Sequence, residues 1–353
     1  MSVRRRKDGR WRVDISVLQN GARERIKKAA PTREAALKLE RELRAQLDRG
    51  EAVLQRAPLF SEWAREFIEV YAETNNKFSE QTAKRQILRD HLDPFFGELR
   101  LDKIGVAEIE RFKRDQLVEK KASAKSVNNR LTVLRRMFVV AHEWGKLGSV
   151  PRVRWLKLPP RTFRFLSFEE TNSLLDAAAP EWRTMILAAL RTGLRIGELL
   201  ALTWSDVDLV AGRLVVRRTV WRGREGTPKG GRARELPLSR EARGALELLP
   251  SRERGSYVFG RGAPRLTSGE VKWPLWTACT KAGIARCGWH VLRHTFASHL
   301  VMKGVVLKAV QELLGHATME MTMRYAHLSP DVRSDAVERL DVRSGASEVA
   351  PRY

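Results

Sequence analysis

The segment Leu314-Gly315-His316-Ala317-Thr318-Met319-Glu320-Met321-Thr322-Met323-Arg324-Tyr325-Ala326-His327 sets a histidine and a tyrosine on one short stretch of a very basic chain. Upstream, His290-Val291-Leu292-Arg293-His294-Thr295 offers histidine and arginine one helical turn apart. Further upstream, Thr192-Gly193-Leu194-Arg195-Ile196-Gly197-Glu198-Leu199 supplies a second arginine. Attack on a phosphodiester without a metal needs this set of side chains. Arginines neutralise the phosphate, histidines handle protons and a tyrosine serves as nucleophile.

Net charge points the same way. Lys and Arg number 66 against 42 Asp and Glu, a formal charge of +24 over 353 residues. That excess puts a polyanion first among partners. The length suits two or three domains. Two cysteines, Cys279 and Cys287, are too few for a disulfide framework or a four-ligand zinc site, and are expected reduced and packed. No run of 18 apolar residues and no signal peptide is evident, so the expectation is a cytoplasmic protein that stays where it is made, without a membrane.

The elements that must position these residues follow from periodicity. Residues 1–50 hold 15 Lys and Arg against 7 Asp and Glu. Arg10 to Val17 alternates at period two and reads as a strand, Asn20-Gly21 as a hairpin turn, and Arg23 to Ala30 as the return strand. Thr32 caps a helix expected to run through Arg49 and stop at Gly50. Arg4, Arg5, Arg6, Arg10 and Arg12 are candidates to follow a DNA backbone.

Residues 59–145 are patterned as helices. In the last of them Val127, Leu131, Leu134, Phe138 and Ala141 form an apolar face, while Lys125, Asn128, Asn129, Thr132 and Arg136 fall on another, open to phosphates and bases. Gly148 to Pro160, with Pro151, Pro159 and Pro160, reads as an extended linker. Beyond it Ser167 caps a helix, Trp182 to Leu190 is an apolar helix, and Arg213 to Val220 a strand pairing with Arg234 to Leu238. A glycine-rich loop, Trp221 to Gly231, carries Lys229 between them. Helices are expected over Val291 to Met302, Leu307 to Leu314, Thr318 to Ala326 and Pro330 to Leu340.

Each motif alone is modest, but their order is specific. Arg195, Lys229 on a hairpin, His290 with Arg293, His316 and Tyr325 follow one another as in the tyrosine recombinases, the phage integrase family, which this chain resembles in its T-G-L-R-x-x-E-L, H-x-L-R-H-T-F-A and L-G-H…Y-x-H blocks. By resemblance, those six residues occupy the family's active-site positions and Glu198 the supporting acidic one. Lys229 is placed only by its loop, with Arg232 and Arg234 as nearby competitors.

The resemblance implies a mainly α protein with small β-sheets (α+β) in three domains. These are a small N-terminal sheet plus helix over 1–55 that binds arm-type sites, a helical core-binding domain over 58–148, and a mixed catalytic domain over 165–342. A linker (149–164) joins the last two, and a tail (343–353) follows. It implies site-specific recombination of double-stranded DNA, at core and arm-type attachment sites, by a homotetramer passing through a Holliday junction. Ser329 to Leu340 would be exchanged between neighbours, and an accessory DNA-bending or excision factor is compatible with the scheme. In that chemistry Tyr325 attacks, Arg195 and Arg293 hold non-bridging oxygens, His290 is the general base, His316 bonds the phosphate and Lys229 protonates the leaving 5′-oxygen. No cofactor or metal is called for. A type IB topoisomerase-like strand transferase and a catalytically inactive DNA-binding protein are the alternatives.

Overall fold

The computed structural model describes residues 3–6, 9–19, 22–48, 57–159, 162–228, 230–254, 256–260 and 265–330. The chain divides into two compact units, Met1–Pro160 and Arg161–Tyr353.

In the first unit, strands Val3–Arg5, Trp11–Gln19 and Ala22–Ala30 form an antiparallel sheet in sequence order. The expected Asn20-Gly21 turn lies outside the described residues, but Gln19 pairs with Ala22 on either side of it. Alternation puts Val13 and Ile15 on the face that meets Ile26, and helix Arg33–Asp48 closes it with Ala36 and Leu43. Thr32 caps this helix, its Oγ1 accepting the Ala35 N–H at 3.1 Å. The strand Val3–Arg5 was not legible, because three residues carry too little periodicity.

A second core follows in the same unit. Helical runs over 60–75, 78–96 and 106–119 each contain a π-wound stretch, and helix Ala124–Glu143 packs with them. Phe60, Trp63, Phe67, Phe96, Phe112, Leu131, Leu134 and Phe138 fill the interior. Ser123 caps the last helix by accepting the Ser126 N–H. The stretch expected as a linker is not free of this core. Val153 is buried in it and Val150 and Leu156 pack against it.

The second unit is helical around a small sheet, with strands in the order Val207–Asp208, Arg213–Val216, Arg234–Pro237. The strand expected over Arg213 to Val220 is split. The chain leaves the sheet after Val216, where Arg218 turns to donate to Asp206 Oδ2 at 2.6 Å and Thr203 Oγ1 at 2.7 Å. It then forms a separate hairpin, Thr219–Trp221 with Arg224–Gly226. That hairpin lies against the helix Ile196–Ala201 so closely that a Cβ on Gly197 would stand 2.5 Å from the Val220 carbonyl oxygen.

Helices Trp289–Met302 and Leu307–Leu314 form where expected. The helix expected over Thr318 to Ala326 does not run through. Glu320–Met323 is one short α-turn, the Tyr325 N–H reaches back only to the Thr322 carbonyl, and Ala326–Leu328 continues as 3₁₀. The expected helix over Pro330 to Leu340 and the tail lie outside the described residues. Cys279 and Cys287 are buried free thiols with sulfurs 3.7 Å apart. Among the described residues no helix is long and apolar enough to cross a membrane.

Candidate active site

Helix Pro180–Thr192 ends at Gly193 in the left-handed conformation (φ 63°). Only glycine fits here, since a Cβ would lie 2.3 Å from Phe296 Cδ1. The chain then turns into helix Ile196–Ala201 with Arg195 at the N-cap. Glu198, in the first turn, accepts the Arg195 backbone N–H at 3.0 Å and its Nη1 at 2.9 Å. The same carboxylate accepts Arg234 Nη1 at 3.1 Å and Nη2 at 2.7 Å. Burial opposes ionisation of Glu198, but the hydrogen bonds and charge of Arg234, then those of Arg195, outweigh it and hold the carboxyl down to about 2. Two guanidinium groups are thereby fixed by one anion.

Helix Trp289–Met302 carries His290, Arg293 and His294 at spacings of three and four, on one face. Arg293 is buried, and among the described residues it forms no ion pair with a carboxylate. Its Nη1 donates to the Gly193 carbonyl at 2.7 Å and its Nη2 to the Leu314 carbonyl at 2.6 Å. Both acceptors close the C-terminal ends of helices, where the partial charge is negative. Arg293 thus ties the turn carrying Arg195 to the turn carrying His316. Burial, with the nearby Arg195 charge, lowers its pKa to about 9, so it remains a cation at neutral pH.

Helix Leu307–Leu314 stops at Gly315 (φ 62°), and His316 follows. Its Nδ1 is 2.9 Å from Thr322 Oγ1. Burial first, then the charges of Arg293 and Arg195, push the imidazole down to about 3, so the ring is neutral.

Tyr325 is 1 % exposed and sits within an apolar cluster with Phe296 and Leu314. Its hydroxyl is 2.7 Å from Nδ1 of His294. Phe163 stacks on His294 and meets Tyr325 edge-on, each with ring centroids 5.0 Å apart. Burial raises the Tyr325 pKa, while Arg293 and Arg324 pull it down. His294 is lowered to about 4 by burial and then by His290, Arg324 and Arg293.

Sequence reasoning put His290 at the tyrosine; the residue bonded to the hydroxyl is His294. The reason is helical. One further turn carries the imidazole to Tyr325, and His290 rests edge-on against it at 4.6 Å. The signal was present as the last histidine of H-x-L-R-H. Arg234 was named only as a competitor of Lys229, not as the partner of Glu198, and Phe163 was missed, because both act across long sequence separations.

The structure therefore brings Arg195, Glu198, Arg293, His316 and Tyr325 into one charged neighbourhood, with His290 against His294. Lys229 lies outside the described residues. Of its competitors, Arg232 is exposed and Arg234 is committed to Glu198.

The expected DNA-contact residues lie in the first unit. Arg4, Arg5, Arg6 and Arg10 are exposed, and Arg12 is 3.2 Å from the Asp14 carboxylate. Lys125 and Asn129 are exposed. Arg136 lies over the Tyr71 ring, 5.0 Å from its centroid. Asn128 is a correction. It is 7 % exposed, and its amide bonds both the carbonyl and the N–H of Leu156 at 2.9 Å. With its amide used on the backbone it is not on offer to a base.

Comparison with known proteins defines the class: a tyrosine-type site-specific recombinase. The chain belongs to the phage integrase family, whose profile matches residues 164–331, while the family's N-terminal SAM-like domain matches residues 59–115. The ICEBs1 integrase of Bacillus subtilis (strain 168) is 27% identical over 374 residues, covering 97% of this chain and 99% of that one. The tyrosine recombinase XerC of Alcanivorax borkumensis is 30% identical, over 58% of this chain and 70% of the relative. XerC of Pseudomonas aeruginosa (strain LESB58) is 37% identical, and there the chain spans only 57% of the relative's length. In fold, the chain is similar to the Tn1549 transposon integrase solved with circular intermediate DNA (TM-score 0.69, 21% identity, covering 79% of this chain and 98% of that one). It is also similar to a lambda integrase tetramer solved on a Holliday junction (TM-score 0.63, 20% identity, covering 92% and 94%).

Proposed function

We propose that this recombinase cuts and rejoins double-stranded DNA through a 3′-phosphotyrosine on Tyr325, integrating or excising a mobile element. The observation that carries the reading is the Tyr325 phenol held in the field of Arg293 and beside His294, with Arg195 and His316 acting on the same group of charges. Arg195 and Arg293 take the non-bridging oxygens of the scissile phosphate, as forked cations matched to a planar anion. His316, neutral, donates a hydrogen bond to the same phosphate. Lys229 protonates the departing 5′-oxygen, which is a poor leaving group unaided. Glu198 positions Arg195. The phosphodiester's energy is kept in the phosphotyrosine, so rejoining to a partner strand needs no nucleotide.

The +24 charge and the exposed Arg4, Arg5, Arg6, Arg10 and Lys125 of the first unit support a DNA partner. The lambda integrase relative, solved as a tetramer on a Holliday junction, supports the same assembly here, with Ser329 to Leu340 as the exchanged segment. The likeness to the ICEBs1 integrase along 97% of the chain supports a mobile-element role, a bacterial cytoplasm and DNA association there. The test is a nicked suicide substrate run on a denaturing gel. The parent traps a covalent adduct and Tyr325→Phe does not; an adduct retained by Tyr325→Phe moves the nucleophile elsewhere.

A further inference from the structure

The nucleophile assigned above must lose a proton as it attacks, and among the described residues its hydroxyl is bonded to one titratable group. His294 Nδ1 stands 2.7 Å from the Tyr325 oxygen. The contact is fixed rather than incidental. Phe163 stacks on the imidazole and meets the phenol edge-on, so one ring sets the plane of both partners. His294 is 8 % exposed and Tyr325 1 %, so little water competes for the bond. We propose that His294 is the catalytic base that takes the Tyr325 proton as the phosphotyrosine bond forms. The proposal rests on Tyr325 being the nucleophile, and goes beyond that reading by naming the group on its oxygen.

Neighbouring groups do not fit the task. Glu198 is engaged by two arginines and is too weak a base. Arg293 and Arg324 are donors without a lone pair to offer. His316 has its Nδ1 on Thr322. His290 faces the His294 ring at 4.6 Å. His294 also lines an open cavity of about 680 Å³ with Thr162, Phe163, His290, Glu320 and Arg324.

In the step itself, Nδ1 accepts the phenolic proton, the tyrosine oxygen bonds to phosphorus, the bond to the 5′-oxygen breaks and that oxygen takes the Lys229 proton. Rejoining reverses each transfer. The ring is poised as an acceptor, because burial and the charges of His290, Arg324 and Arg293 keep it unprotonated at neutral pH. Arg324 and Arg293 also oppose the imidazolium that forms; a phosphodiester bound between Arg195 and Arg293 brings the negative charge that offsets them.

His294→Asn tests this, because an amide oxygen near the Nδ1 position keeps the hydrogen bond and cannot take the proton. Single-turnover adduct formation on a suicide substrate should fall about 100-fold or more at neutral pH. The variant's rate should climb about tenfold per pH unit toward tyrosine ionisation, while the parent's stays nearly flat. Replacing Tyr325 by a ring-fluorinated tyrosine, whose phenol ionises nearer neutrality, should restore most of the loss in His294→Asn. Adduct formation within about threefold of the parent overturns the proposal. So does a loss that is equal at every pH and untouched by the fluorinated tyrosine, which marks a structural role. If His290→Asn gives the pH-dependent, fluorotyrosine-rescued pattern instead, the base is His290. None of these outcomes alters the Tyr325→Phe result, which stands or falls separately.

Discussion

Arg234 and Glu198 form a two-point ion pair in which Nη1 meets Oε1 at 3.1 Å and Nη2 meets Oε2 at 2.7 Å, 36 residues apart and with side chains 12% and 1% exposed. Arg234 Nε also donates to the Leu313 carbonyl at 3.2 Å. Arg195 shares the same carboxylate. One anion therefore joins the sheet, the first arginine turn and the end of the helix that precedes His316. Removing the carboxylate frees Arg195 and strands Arg234 in a nearly buried place.

That arrangement predicts an acid-sensitive fold. The Glu198 carboxyl is held near 2 when folded, below the usual 4.5. A depressed carboxyl contributes stability that is complete above its unfolded pKa and is lost as pH falls from there toward the folded one. The contribution is about 3 kcal/mol. Glu198→Gln should be destabilised by about 3–5 kcal/mol at pH 7, since a buried arginine loses its partner. Urea unfolding at pH 7 and pH 3 checks this. The gap between parent and variant should narrow at the lower pH, and a constant gap would contradict the account.

Glycine substitutions should separate backbone strain from crowding. Gly193 and Gly304 both adopt positive φ, but an added Cβ meets Phe296 at 2.3 Å at the first and open space at the second. Gly304→Ala should cost about 1 kcal/mol, from conformation alone. Gly193→Ala adds overpacking of about 1–3 kcal/mol, and by moving the Gly193 carbonyl it loosens Arg293. Denaturant midpoints rank the two, and cleavage rates should fall further than stability for Gly193→Ala alone.

Local pattern made part of this legible. The strands Trp11–Gln19 and Ala22–Ala30, the apolar face of Ala124–Glu143 and the ends of Leu307–Leu314 follow from period and capping residues. The order of Arg195, His290, Arg293, His316 and Tyr325 marked the candidate site. What escaped were contacts that depend on the fold closing. Arg234 reaches Glu198 across 36 residues, Phe163 covers a tyrosine far downstream, and Asn128 turns from an expected surface to clasp Leu156. The tyrosine's helix was overextended because apolar spacing cannot tell an α-turn from a 3₁₀ one.

Asn128 and Asn129 adjoin, yet their substitutions should report different things. Asn128→Ala leaves the Leu156 N–H and carbonyl without their partner and should destabilise the first unit by about 1–3 kcal/mol. Asn129 is exposed, so Asn129→Ala should leave unfolding unchanged and weaken DNA binding. Thermal unfolding with a binding titration for each variant decides it. A DNA defect without a stability defect in Asn128→Ala would restore it to the contact surface.

Lys229→Ala should cleave ordinary DNA poorly and cleave well when sulfur replaces the leaving 5′-oxygen, because a thiolate departs without a proton. Arg234→Ala should not be rescued, since its guanidinium is engaged by Glu198 and the Leu313 carbonyl. Cleavage rates on the paired oxygen and sulfur substrates make the comparison. Rescue of Arg232→Ala or Arg234→Ala, with Lys229→Ala remaining slow on sulfur, would reassign the acid.

Deleting residues 1–55 should divide two DNA-binding activities. The basis is that Val13, Ile15, Ile26, Ala30, Ala36 and Leu43 form a core of their own, while the helical core from Ala57 onward is built from other residues. The strand Val3–Arg5 holds Arg4 and Arg5 exposed on that small sheet, with Arg4 paired in register to Arg12. A sheet presenting Arg4 and Arg12 side by side on a closed core is a rigid surface for phosphates rather than a loose tail. The truncated protein should keep the core crossover site, because Tyr325, the proposed nucleophile, lies in the second unit. It should lose any flanking class of sites, and with it the bridging of separate DNA segments. Integration between two molecules should then fail while cleavage of a core substrate persists. Footprints of full-length and truncated protein on the cognate attachment DNA provide the measurement. Identical footprints would reduce the N-terminal sheet to a nonspecific anchor.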